Sequence, residues 1–259
     1  MNKTTEYIFK TIETHWKEVD AIIKPSCYVI GISGGIDSTC VAALACKIFG
    51  KNRVVGVSLP CDGQKDMDDV NSAFSWLGIR RLTIDIGDVF NSLLTKCENN
   101  CLEITDVCKT NMPARLRMTT LYAVAQCING FVVNTSNRSE SILGNDTLFG
   151  DNCGSYAPVQ RLVKTEIRNL AEYLGVPSLL VKKIPIDGLQ PLSDEERLGV
   201  SYDDVDAFIR RWREVPENIV KIILSKYRAN RFKIKMVKID GPGFLLHDEI
   251  DKLEFAGDI

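Results

Sequence analysis

Histidine is almost missing, at two residues (His15 and His247), and the nine cysteines contain no Cys-x-x-Cys pair. A zinc centre takes closely spaced ligands of these types, so none is expected. Cys97, Cys101 and Cys108 cluster only loosely. The cysteine count is odd, and the N-terminus (Met-Asn-Lys-Thr-Thr-Glu) has no apolar signal region. Reduced thiols and a cytoplasmic setting follow. Cys27, Cys40, Cys46 and Cys127 fall in apolar patterns and are expected as small core residues. No run of about 18 apolar residues exists, so no membrane span is expected. There is no basic excess either: the net charge is −2, which argues against a general nucleic-acid binder. Internal repeats and low-complexity tracts are also absent. What is present, 259 residues at 45% hydrophobic and 25% charged, is enough for a full core. A single α/β domain over residues 1–259 is expected.

The chain is organised around Gly31-Ile-Ser-Gly-Gly-Ile-Asp-Ser38. Apolar Cys27, Tyr28, Val29 and Ile30 precede it. Val41, Ala42, Leu44, Ala45, Ile48 and Phe49 follow at helical spacing. The pattern predicts strand, tight glycine turn, helix. Such a turn aims unpaired N–H groups at a helix N-terminus, where phosphate binds. Gly34 and Gly35 remove side chains where a ligand must come close and permit positive φ. Ser33 and Ser38 add hydroxyl donors. A carboxylate repels phosphate unless a cation lies between, so Asp37 reads as a Mg²⁺ ligand. The stretch is neither the Walker pattern nor the dinucleotide fingerprint.

Along the chain, Ile8, Ile12, Trp16, Val19 and Ile23 predict a covering helix over 1–24, stopped by Lys24-Pro25. His15 lies on it as a surface or packed residue. Val54 to Leu59 is a second buried strand, and Val70, Ala73, Phe74 and Leu77 mark a helix. Leu82, Ile84 and Ile86 alternate as a third strand. Alternating strands and helices imply a doubly wound parallel sheet whose ligands bind beyond the strands' carboxyl ends. Val89, Phe90, Leu93 and Leu94 suggest a helix, 98–111 is mixed, and Pro113 opens a helix to Ile128. Arg115 and Arg117 then sit near a helix start, against the dipole, as an anion contact would. Phe131 to Asn134 is a fourth strand. Glu140 either shares the cation of Asp37 or opens a helix. Residues 144–157, rich in Gly and Asn, read as a long flexible loop, of the kind that forms lids. Lys164 opens another helix. Two amphipathic helices follow, one capped near Ser201 with Val205, Phe208, Ile209 and Trp212, the other carrying Ile219, Ile222, Ile223 and Tyr227. A basic stretch runs from Lys226 to Lys238, and 240–259 reads as a loosely held acidic tail.

Ser33-Gly-Gly-Ile-Asp-Ser38 resembles the pyrophosphate loop of ATP pyrophosphatases. Several further stretches extend this into a resemblance to NAD synthetases, from the first strand to about residue 235. They are Gly63-Gln-Lys-Asp66, Asn111 to Met118, Thr135 to Glu140, Phe149-Gly-Asp151, Pro185-Ile-Asp-Gly-Leu189, Ser193 to Gly199, and Tyr202. The resemblance implies an adenine nucleotide alpha-hydrolase-like fold and a cytoplasmic homodimer. It implies amidation of deamido-NAD, with ATP cleaved to AMP and pyrophosphate through an acyl adenylate. Ammonia, free or supplied by a separate protein, is the implied nitrogen source. Position by position it implies ATP contacts at Gly31, Ile32, Ser33, Gly34, Gly35, Ile36, Asp37, Ser38, Thr135, Lys164 and Ile186. The implied Mg²⁺ ligands are Asp37 and Glu140, and the deamido-NAD contacts are Arg115, Leu148, Ser155, Phe232 and Lys233. No nucleophilic Ser or Cys is expected, because adenylyl transfer depends on positioning and charge neutralisation.

Four of these positions depart from the family pattern. Leu148 stands for a Lys, Ser155 for an Asp, Ile186 for a Ser or Thr, and Phe232 for a His. A lost charged contact costs ~1.5–3 kcal/mol. The departures leave other readings open: an amidoligase for another carboxylate such as nicotinate mononucleotide, a tRNA-thiolating enzyme, or a nucleotide-binding module without turnover. A thiolating enzyme predicts a catalytic Cys pair and strong basicity, and the chain shows little of either.

Overall fold

An apolar run without polar alternation belongs to a strand covered on both faces. Cys27-Tyr-Val-Ile-Gly31 is such a run, and it forms the central strand β1 (Cys27–Gly31). The computed structural model describes residues 3–61, 67–182 and 194–236, with Lys235 and Met236 as backbone only. In chain order, β1 is preceded by α1 (Lys3–Ile23) and followed by α2 (Ile36–Phe49), β2 (Val54–Ser58), α3 (Met67–Leu77), β3 (Arg80–Thr83), α4 (Gly87–Glu98), α5 (Asp106–Cys127), β4 (Gly130–Val132) and α6 (Arg138–Leu143). After a long loop come α7 (Lys164–Tyr173), α8 (Ser178–Val181), α9 (Asp194–Leu198), α10 (Tyr202–Arg210) and α11 (Glu217–Met236). The motif residues 63–66, 185–189 and Ser193, the basic Lys238 and the tail 240–259 lie outside the described residues.

The sheet is parallel in the order β3-β2-β1-β4, with Tyr28 opposite Val54 on one side and Phe131 on the other. The chain leaves β1 towards β2 and β3, then returns to add β4 on the far side. The crevice between β1 and β4 is therefore the topological switch point, where open α/β sheets bind ligands. Side chains alternate across β1. Tyr28 and Ile30 join a core with α1, α2, α3, α7 and α8. Cys27 and Val29 face the other way, with Val55, Val57, Val132 and Val124 of α5. Helices thus cover both faces, which makes the sheet doubly wound as expected. A separate cluster joins Ile142 and Leu143 of α6 to Tyr202, Val205, Ile209, Ile223 and Tyr227 of α10 and α11.

The covering helix α1 buries Ile8, Ile12 and Trp16. The Trp16 ring centroid lies 5.2 Å from Tyr28, 5.6 Å from Phe49 and 5.1 Å from Tyr156. His15 is packed, with Nδ1 2.9 Å from the Tyr156 hydroxyl. Among the described residues no helix is long and apolar enough to cross a membrane, and none of the groupings of His, Cys, Asp and Glu reaches three potential metal ligands.

Several local expectations change. Helix α5 begins at Asp106, not Pro113, because the Thr105 hydroxyl caps it by accepting from Cys108 N at 3.2 Å. Pro113 is therefore an interior helix residue, and Arg115 and Arg117 sit in the third and fourth turns, where the dipole argument does not apply. Cys127 closes α5 on the exposed side, so it is not a core residue, whereas Cys27 and Cys40 are buried. Strand β3 starts earlier than expected, at Arg80, since an edge strand tolerates polar side chains. Its alternation persists beyond Thr83, as Ile84 N donates to Ser58 O and Ile86 N to Pro60 O. Strand β4 ends at Val132, after which Val133 bridges Tyr156 and Asn134 N donates to Tyr156 O. Trp212 lies past the end of α10 and is exposed.

Candidate functional site

The glycine loop joins β1 to α2 at the switch point. Gly34 has φ +78°, and a Cβ there would come within 2.7 Å of the Val70 amide nitrogen in α3. Only glycine meets both conditions. The two serines shape the loop. Ser33 Oγ accepts from Gly35 N at 3.2 Å, while the Ser38 hydroxyl donates to Gly35 O at 3.1 Å. Their hydroxyls are thus engaged in holding the turn, while the first-turn N–H groups of Ile36, Asp37 and Ser38 have no intrahelical acceptor.

A second element enters from β4. Asn137 caps α6, its Oδ1 accepting from Glu140 N at 3.0 Å while Glu140 Oε2 accepts from Asn137 N at 3.4 Å. The same Asn137 donates its Nδ2 to Asp37 Oδ1 at 3.0 Å. Glu140 is therefore both a helix-start carboxylate and a site residue, because its other oxygen faces Lys164. Lys164 Nζ, at the start of α7, lies 2.6 Å from Asp37 Oδ2 and 3.0 Å from Glu140 Oε1. Its ammonium also sits 5.1 Å over the Tyr202 ring.

The lysine is 1% exposed, yet burial does not neutralise it. The charges of Asp37 and Glu140 outweigh desolvation and hold its pKa above the ordinary lysine value. Burial pushes the Glu140 carboxyl above its ordinary value, with Lys164 opposing the rise and Asp37 adding to it. Two hard carboxylates with room for phosphate oxygens suit Mg²⁺, which takes one or two carboxylates and fills its remaining positions with phosphate and water. The donor set fits that ion.

These groups line one cavity of about 490 Å³. Gly31, Ile32, Ser33, Gly35, Ile36, Asp37, Ser38, Thr135, Glu140 and Lys164 all reach it, as does Lys233 from α11. Gly34 turns its back, against α3. Arg115, Leu148, Ser155 and Phe232 are not among its lining residues. Arg115 donates Nε to Leu148 O at 3.3 Å. The Ser155 hydroxyl lies 3.3 Å from the Tyr122 hydroxyl, and Phe232 is 51% exposed. Ile186 lies outside the described residues. Instead of Arg115, Arg117 reaches the cavity, donating Nε to Leu59 O at 3.1 Å. Burial lowers the pKa of its guanidinium.

The segment 144–157, expected to be a flexible loop, has no helix or long strand but is held at three places. Asn134 Nδ2 donates to the carbonyls of Asp151 and Cys153, both at 3.0 Å. Thr147 donates to Asn111 Oδ1 at 2.8 Å. Lys233 Nζ donates to Gly144 O at 3.0 Å and Asp146 O at 2.8 Å. Sequence reasoning missed Asn134, Asn137 and Asp146 as individual residues. The Asn-x-x-Glu spacing of Asn137 and Glu140, a capping-box signature, was the available signal for Asn137.

A family model described as NAD synthase matches residues 6–237. The NH(3)-dependent NAD(+) synthetase of Pyrococcus horikoshii is 40% identical over 199 residues, 76% of each chain. Among solved structures, NMN synthetase from Francisella tularensis superposes with a TM-score of 0.82 at 31% identity, covering 90% of this chain and 96% of that one. NAD+ synthetase from Burkholderia pseudomallei gives 0.73 at 25% identity, over 90% of both chains. With the phosphate-type loop, the two carboxylates and the buried lysine gathered at the sheet's switch point, these likenesses lead to one conclusion: the chain belongs to the NAD synthase family.

Proposed function

We propose that the protein catalyses ATP-dependent amidation of deamido-NAD to NAD with ammonia, releasing AMP and pyrophosphate. The observation that carries this reading is the Lys164 ammonium held between Asp37 and Glu140, in the same cavity as the first-turn N–H groups of α2. The substrate carboxylate attacks the α-phosphorus, the bond to the bridging oxygen breaks, and pyrophosphate leaves. The N–H groups of Ile36, Asp37 and Ser38 hold the leaving phosphates. Lys164 neutralises charge that builds on them, and Thr135 lines the nucleotide's path. Ammonia then attacks the acyl carbon, AMP departs with the former carboxylate oxygen, and the surplus proton goes to solvent. Asp37 and Glu140 would hold Mg²⁺, which supplies electrostatic stabilisation to the phosphates when bound. Lys233 and Arg117 are assigned to the acceptor side of the cavity, and no covalent enzyme intermediate is required. A cytoplasmic homodimer built from one domain per chain belongs to the same reading.

A second reading, amidation of nicotinate mononucleotide, is favoured by the likeness to the Francisella tularensis NMN synthetase. One assay separates them. The protein is incubated with ATP, Mg²⁺, ammonium and either acid, and AMP and the amide product are followed. Release of AMP and NAD with deamido-NAD supports the main reading. Release only with nicotinate mononucleotide selects the second, and release with neither removes both.

A further inference from the structure

Glu140 and Lys164 belong to different helices, α6 and α7, and what fixes those helices against each other is a residue outside the cavity. Asp206 of α10 is fully buried. One of its oxygens accepts from the Ser139 hydroxyl at 2.5 Å, and the other accepts from Thr165 N at 2.7 Å. Ser139 Oγ in turn accepts from Lys164 N at 3.0 Å. A single carboxylate therefore ties the residue before Glu140 to the backbone of Lys164 and its neighbour. It also caps α7, where negative charge is favourable.

Its neighbours on α10 work on the same turn. Tyr202, Asp206 and Arg210 recur every four residues and share one face. Tyr202 carries its ring under the Lys164 ammonium at 5.1 Å. Arg210 grips Glu166 with Nε to Oε1 at 2.9 Å and Nη2 to Oε2 at 3.0 Å. Glu166 Oε2 also accepts from Val163 N at 2.9 Å. The whole first turn of α7 is thus clamped from behind.

We infer that Asp206 is a positioning residue, which sets Lys164 and Glu140 in register for the triphosphate through Ser139 and Thr165. The inference rests on the adenylation reading above. A reacting group displaced by about 1 Å loses ~100-fold in rate, so small shifts in this clamp are kinetically visible.

The test compares Asp206→Asn and Ser139→Ala with Ile209→Val. Ile209 is a buried apolar residue of the same helix that makes none of these hydrogen bonds. Asn keeps an acceptor for Thr165 N but cannot also accept from Ser139. Steady-state rates on the acid the parent uses, melting temperatures, and a crystal structure of Asp206→Asn are measured. The inference expects kcat to fall about tenfold or more in both variants, with KM for the acid within about twofold. It expects the double variant to be no slower than Asp206→Asn alone, and Ile209→Val to keep its kcat despite a lower melting temperature. In the Asp206→Asn structure, Lys164 Nζ leaves hydrogen-bonding distance of Asp37 or Glu140. Unchanged kcat in either variant, a loss that Ile209→Val shares, or a Lys164 that keeps both contacts overturns the inference. A parent that releases no AMP with either acid defeats the adenylation reading instead, and the Lys164 position in the variant structure then decides this one.

Discussion

Lys164 brings its ammonium into a place almost closed to water, where an unpaired charge would be very costly. Two carboxylates supplied from α2 and α6 make the position tenable. The Lys164→Met variant leaves those carboxylates facing each other and removes the positive charge set between them. Steady-state AMP release should show kcat lowered by about 100-fold or more, and near-parental kcat would show that the lysine is not used in the transition state. Gly34→Ala is a cleaner test of the loop, since φ is +78° and the new Cβ meets Val70 N at 2.7 Å. Denaturant unfolding should show a loss of about 1–3 kcal/mol. Asp146 gives a pH signature. Burial pushes its carboxyl up to about 6 from an ordinary value of 3.8, with Lys233 opposing. Between those values the folded chain holds more protons than the unfolded one, so stability falls as pH rises through that window. Asp146→Asn should flatten the fall in melting temperature between pH 4 and pH 6.5, and an identical slope in both proteins would contradict the assignment.

At the level of elements, the strand–loop–helix unit from Cys27 to Phe49 was legible because all its signals are local: an apolar run, glycines, then a helical stripe. Helix α5 was misread because Pro113 imitates a first-turn proline while the true cap, Thr105, stands eight residues before it in an unremarkable polar stretch. That shift placed both arginines near a helix end. In the structure the helix interior sends Arg117 to the cavity and Arg115 to the Leu148 carbonyl. Thr105→Ala should cost about 1 kcal/mol of stability by denaturant unfolding, and no loss at all would argue that the helix starts elsewhere. Cys127 was misplaced because an apolar pattern near a helix end does not say which face remains uncovered. The burial of Lys164 was not legible at all. At a helix start a lysine reads as solvated, and its partners lie 127 and 24 residues away in sequence.

Across the whole molecule, the switch point between β1 and β4 gathers groups from α2, α6 and α7 on the carboxyl edge of the sheet, while the third hydrophobic cluster backs α6 with α10 and α11. That arrangement brings the first turn of α2 and the Lys164 ammonium to the same cavity. The sequence resemblance named residues that share this cavity: the loop from Gly31 to Ser38 apart from Gly34, with Thr135, Glu140, Lys164 and Lys233. Arg115, Leu148, Ser155 and Phe232, which it also named, are not among the residues lining the cavity, and no local signal shows this, since Arg115 donates to a carbonyl 33 residues away. The most direct measurement follows the oxygen that attacks phosphorus. Deamido-NAD labelled with ¹⁸O in its nicotinate carboxylate is turned over with ATP, Mg²⁺ and ammonium, and the AMP is examined by mass spectrometry. One labelled oxygen in the AMP phosphate is the predicted result. Unlabelled AMP, or cleavage to ADP and phosphate, would contradict the account.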